Sequence, residues 1–141
     1  VYPQDDIDAL YRLDRMVRPA AVTQVLKRVA DGGAPVWNYL FAYQLPSGDG
    51  EFHACHNGDI PFFFNNVVRS ANMTGATPEG IRLGETMSET LINFARYGKP
   101  FALGLPEWKP VEKGHVYTML WNCPASQLVE NHDLKLLPSV K

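Results

Sequence analysis

Residues 51–64 read EFHACHNGDIPFFF, and the fold turns on how this stretch is interpreted. His53 and His56 stand three apart with Cys55 between them, and Asp59 follows three residues after His56. Imidazole, thiol and carboxylate are the groups of acid–base, nucleophilic and metal chemistry. Pro61 disfavours helical backbone at Ile60, so residues 56–61 are expected to form a loop or one tight turn.

Upstream, residues 34–46 read APVWNYLFAYQLP. Their density of aromatic and β-branched residues predicts a strand covered on both faces. Trp37, Tyr39, Phe41 and Tyr43 alternate along it and read as packing residues. Further back, Val22, Val25, Leu26 and Val29 form one stripe of a helix over 19–31. Pro19 suits its first position, and Gly32 and Gly33 its stop. The preceding run, DIDALYRLDRMV, reads as helical too.

Downstream, residues 65–78 read as irregular. A helix is predicted over 81–97, with Leu83, Met87, Leu91 and Ala95 on one stripe and Phe94 beside them. Gly98 and Pro100 end it. A Pro/Gly-rich loop leads to a strand at 115–121, HVYTMLW, which SQLVEN (126–131) is expected to pair with. The tail from His132 carries no assignable element. Strands alternating with helices make the class α/β.

The totals narrow the function. At 141 residues and 45% hydrophobic content, the chain fits one globular domain. A net charge of −2 with no Lys/Arg run argues against a nucleic-acid partner. No apolar run approaches the roughly 20 residues of a membrane helix. The start at Val1 lacks the pattern of a signal peptide and reads as a cut from a longer chain. Cys55 and Cys123 allow one bridge, but nothing marks a secreted context, so two separate thiols are expected.

The residues of the opening stretch leave several readings open. His53, Cys55, His56 and Asp59 are all zinc-ligand types, yet Gly58 and Pro61 oppose a helix that would gather them, and no second ligand cluster exists. Cys55 and His56 are chain neighbours, and neighbours on extended chain point apart, which disfavours a catalytic Cys–His pair. A structural histidine in a turn is the plain alternative. The position of His56 just past a buried-looking strand favours chemistry, because open α/β sheets place their sites beyond strand ends.

His56, Asn57, Gly58, Asp59, Ile60, Pro61, Phe62, Phe63 and Phe64 resemble the catalytic-histidine motif of type B carboxylesterases, H-x-x-[ED]-[LI]-P-[FY]-x-F. APVWNYLFAYQLP resembles the strand that precedes it there, TLINFARYGKP the family's helix end, and EWKPVEKGHVYTM its following loop and strand. Upstream, DRMVRPAAV resembles a further segment, with Leu13 where threonine is usual. The likeness is clearest over residues 34–122.

The resemblance implies the C-terminal part of an α/β-hydrolase, a serine carboxylic-ester hydrolase working without cofactor through a Ser–His–Asp/Glu triad. It makes His56 the general base, and Asp59 and Pro61 supports of the turn rather than triad members. It places His53 in a solvent-facing loop, Cys55 as a packing residue and Trp108 over a helix. Phe62, Phe63 and Phe64 are expected to pack beneath the turn, with residues 62–67 near a substrate pocket. None of Ser47, Ser70, Ser88, Ser126 and Ser139 lies in G-x-S-x-G. The nucleophile, the triad acid and the oxyanion hole are therefore expected upstream of Val1, in the portion that would be this chain's partner. The small-molecule ester would bind the full-length enzyme, and the isolated chain is expected to be inactive. The alternative is a non-catalytic module that self-associates or binds a partner through freed sheet edges.

Overall fold

The structure, a computed structural model, describes residues 4–135, with side chains from Val17 to Leu134. Its elements in chain order are α1 (Gln4–Ala30), β1 (Asn38–Phe41), α2 (Ile60–Phe63), α3 (Ala71–Thr74), α4 (Pro78–Tyr97), β2 (Tyr117–Trp121) and β3 (Gln127–Glu130). Short 3-10 turns occupy Gly48–Gly50 and Asp133–Lys135. The strands form one sheet in the order β1-β2-β3, so the expected pairing of β3 with β2 is present.

The two helices expected at the start are one. Pro19 stands inside α1 instead of opening it. A proline removes one N–H from the ladder, and helix-forming residues on both sides outweigh that single loss. Thr23 Oγ1 donates back to the Pro19 carbonyl at 2.7 Å. The end is as predicted: Gly32 takes φ +66°. Its N–H bonds Val29 O and that of Gly33 bonds Arg28 O, the paired closure of a Schellman motif.

The chain divides into two units. The first comprises residues 4–38, 109–118 and 129–135. Among the described residues Val22, Val111 and Val116 are its buried apolar side chains, and Val111 N donates to Val36 O at 2.8 Å. Asn38, Thr118 and Asp133 are buried together. Asn38 Nδ2 donates to Thr118 Oγ1 (2.9 Å) and Asp133 Oδ2 (3.2 Å), and Thr118 Oγ1 lies 3.1 Å from the same carboxylate oxygen. Arg18 Nη1 approaches Asp133 Oδ1 at 3.9 Å and His132 Nδ1 lies 3.2 Å from the same oxygen, so the buried carboxylate is compensated.

The second unit, Tyr39–Trp108 with Met119–Leu128, carries the histidine turn. Leu45, Phe62, Met87, Met119 and Trp121 are sealed from solvent. Phe62 packs between Phe41 and Tyr43, at centroid distances of 5.1 and 5.6 Å. Burying such a ring contributes about 1.5–3 kcal/mol.

The first strand is shorter than predicted and is not covered on both faces. Asn38 is buried while its neighbour Tyr39 is 43% exposed. β1 is an edge of a three-stranded sheet, and period-2 alternation turns one side outward. Contact with β2 ends one residue past Phe41, where Ala42 N donates to Trp121 O at 2.9 Å, and Leu45 N then bonds His53 O.

Helix α4 begins three residues before the predicted start. Thr77 caps it, its Oγ1 accepting from Gly80 N at 3.1 Å, with Pro78 at the first position. Its buried face is Gly80, Leu83, Gly84, Met87 and Thr90. Ala95 and Phe94 at the far end are exposed, contrary to the expected stripe. Gly98 ends the helix at φ +70°, as expected. The stretch read as irregular contains α3. Among the described residues no helix is long and apolar enough to cross a membrane.

Candidate active-site turn

Leaving β1, the chain runs through Leu45 and a Gly/Asp loop, then returns at His53. His53 is not the solvent-facing residue expected. It is half-buried, and its carbonyl accepts from Leu45 N at 3.1 Å. Two residues on, Gly58 N donates to Cys55 O at 2.9 Å and closes a turn over residues 55–58. Asn57 is its third residue at φ +63°, a conformation asparagine tolerates. His56 is therefore at the tip of the turn, and it is exposed.

Glycine at 58 is a packing requirement. A Cβ there would stand 2.9 Å from Cys55 O and 3.3 Å from Leu45 Cδ1. Cys55 packs beside this point, its Sγ 3.5 Å from the same position, as expected for a packing residue. Cys55 and Cys123 are both free thiols.

Asp59 links the turn to α2. Its carbonyl accepts from the N–H groups of Phe62 and Phe63, at 3.0 and 3.1 Å. Contrary to the expectation from Pro61, Ile60 is helical and opens α2; Pro61, buried, sits in that first turn, where its missing N–H costs nothing. The Asp59 side chain does not cap the helix. Instead Tyr39 Oη donates to Asp59 Oδ2 at 2.8 Å. Partial burial of the phenol, first, then this hydrogen bond and the carboxylate charge, push the Tyr39 pKa well above its ordinary value. Tyr39 is thus more than the packing residue that its alternation suggested. No local signal marks it, because its partner is twenty residues away.

The three phenylalanines diverge. Phe62 is fully buried, Phe63 lies edge-on to Tyr39 (5.3 Å) and Trp121 (6.2 Å), and Phe64 is 64% exposed rather than packed beneath the turn. Trp108 is buried against Trp121, 5.6 Å away and edge-on. His56 makes no hydrogen bond or ion pair among the described residues, so neither Asp59 nor Pro61 is hydrogen-bonded to its ring. Among the described residues no group of three or more His, Cys, Asp and Glu is placed to hold a metal ion.

Comparison with known proteins shows the family. A sequence profile of the carboxylesterase family matches residues 11–136. Carboxylesterase 5A of Canis lupus familiaris is 34% identical over 111 residues, which are 74% of this chain and 19% of that protein. Human cocaine esterase is 33% identical over 97 residues, 65% of this chain and 17% of that protein. The chain thus spans under a fifth of the length of these relatives.

Solved structures agree. An esterase from anaerobic Clostridium hathewayi, described as able to hydrolyze aliphatic aromatic polyesters, superposes with a TM-score of 0.71 at 31% identity. The match covers 80% of this chain and 22% of that one. A Geobacillus stearothermophilus carboxylesterase superposes at 0.61 with 27% identity, covering 77% of this chain and 22% of that one. A thermophilic PNB esterase shares the fold over 96% of this chain and 33% of its own, at 0.63 and 20% identity. On its sequence and its α/β-hydrolase fold alike, this chain belongs to the carboxylesterase family.

Proposed function

We propose that this chain is the C-terminal portion of a serine carboxylic-ester hydrolase, and that His56 is the general base of its triad. The observation that carries the reading is the placement of His56. It stands exposed at the tip of a braced turn following β1, with its ring uncommitted among the described residues. A neutral imidazole so held can take a proton from a serine hydroxyl and return it to the leaving alcohol. The serine, the triad acid and the oxyanion donors would come from the upstream portion of the same protein. Ile60 (48% exposed), Phe64 (64%) and Val68 (62%), in and just after α2, leave apolar side chains open for that portion to cover.

The test is ester hydrolysis. In the full-length protein, His56→Ala should lower kcat for p-nitrophenyl butyrate by roughly 10⁴-fold or more. The isolated 141-residue chain should show no turnover that depends on His56. An unchanged kcat in the full-length variant would remove the assigned role. Saturable His56-dependent turnover by the isolated chain would place a nucleophile within it.

A second reading, a self-associating or partner-binding module, draws on Leu103, which is 93% exposed, with Tyr97 and Phe101 also exposed. Sedimentation of the isolated chain decides it: a monomer at high concentration refutes self-association.

A further inference from the structure

We infer that Tyr39 is a positioning residue for His56, acting through the carboxylate of Asp59. The inference rests on the reading of His56 as general base and concerns how that base is held.

A base on a turn is useful only if the turn stays put. Displacing a reacting group by about 1 Å costs on the order of 100-fold in rate. The turn of residues 55–58 and the helix α2 after it meet at Asp59, and Asp59 is fixed from both sides. Its carbonyl is taken by the N–H groups of Phe62 and Phe63. Its carboxylate is taken by Tyr39 Oη at 2.8 Å. That hydrogen bond runs to a charged acceptor, the stronger kind. It ties the histidine turn to a strand rather than to another loop.

Tyr39 is itself held. Its ring meets Phe63 edge-on at 5.3 Å, and Phe63 meets the buried Trp121 at 6.2 Å. A phenol whose pKa is raised above its ordinary value also stays protonated, and so a donor, at neutral pH. Tyr39 thus braces the turn through Asp59.

The experiment uses the full-length esterase containing this chain, with p-nitrophenyl butyrate as probe. The variants are Tyr39→Phe, Asp59→Asn, Asp59→Ala, the Tyr39→Phe/Asp59→Ala double and His56→Ala. Tyr39→Phe removes only the hydroxyl and should lower kcat about tenfold with KM within about twofold. Asp59→Asn retains an oxygen that can accept from the phenol, so it should keep clearly more activity than Asp59→Ala. The double variant should be no worse than the poorer single, the signature of two groups acting as one. If Tyr39→Phe does not fold, the Asp59→Asn and Asp59→Ala pair decides, and equal losses overturn the inference. Wild-type kcat in Tyr39→Phe, or losses that multiply in the double, also overturn it. If His56→Ala is inactive while Tyr39→Phe matches wild type, only this inference falls. If His56→Ala stays active, the general-base reading falls first.

Discussion

A Cβ added at Gly84 would stand 2.6 Å from Cγ2 of Val67 and 3.7 Å from the Phe62 Cα. Helix α4 therefore packs tightly on the Val67 side chain, and a bare glycine allows it. Gly84→Ala sets two effects against each other. Alanine gains about 1 kcal/mol of helix propensity, whereas overpacking a rigid site costs about 1–3 kcal/mol. Val67 is buried and β-branched, so its side chain cannot swing away, and the clash wins. Gly84→Ala should lower unfolding stability by about 1 kcal/mol in urea titration. In a Val67→Ala background the same change should be neutral or stabilising. A stabilising Gly84→Ala beside an intact Val67 would show that the two segments have room to separate.

Thr77 serves two partners. Its Oγ1 accepts from Gly80 N at 3.1 Å, and it lies 3.1 Å from Tyr43 Oη. Thr77→Ala should cost about 1 kcal/mol or somewhat more, the loss of a cap and of one partner for the Tyr43 phenol. Thr77→Ser, which keeps the oxygen, should retain most of it. Equal losses for alanine and serine in thermal melts would assign the effect to the threonine methyl group.

The raised pKa of Tyr39 makes stability fall in alkali. The folded state holds the phenol proton more tightly than the unfolded chain does. The contribution is therefore complete below the unfolded tyrosine pKa of about 10 and is lost progressively as pH rises beyond it. Denaturant midpoints should decline above that pH more steeply in wild type than in Tyr39→Phe. Parallel curves would show that the folded chain does not hold this proton preferentially.

Cys123 lines an open groove of about 260 Å³ with Arg82, Leu83, Leu105 and Pro124. Burial, then the charge of Glu79, push its thiol pKa up, and Arg82 offsets part of this. Only the thiolate is reactive, so alkylation of Cys123 near pH 8 should be slow. In a Cys55→Ala background, Glu79→Gln should speed modification by iodoacetamide and Arg82→Gln should slow it. Glu79→Gln with an unchanged rate, followed by mass spectrometry, would leave burial as the whole cause.

Legibility in the sequence followed the range of the interaction. The stop at Gly32 and Gly33, the end of α4 at Gly98 and the turn at residues 55–58 each depend on a few neighbouring residues and are readable, whereas the rule that Pro61 keeps Ile60 out of helix fails where α2 begins. The early start of α4 was also written locally, in Thr77-Pro78-Glu79, although the apolar stripe drew the predicted start to Ile81. Pro19 misled because a local rule met a longer run of helix formers and lost.

Phe62, Phe63 and Phe64 differ in no chemical respect, yet one is sealed, one sits edge-on to Tyr39 and Trp121, and one faces out. Consecutive residues of a helix point about 100° apart, and only the surface that α2 meets decides which side is covered. The pairing of Tyr39 with Asp59, and of Gly84 with Val67, arises the same way, from segments 20 and 17 residues apart brought together by packing. The sequence alone determined the α/β class, the main helices and strands and the histidine turn, because periodicity, caps and turn residues act over a few positions. Tertiary structure alone decided what braces that turn and which apolar groups it leaves open, because those contacts exist only once distant segments share a surface.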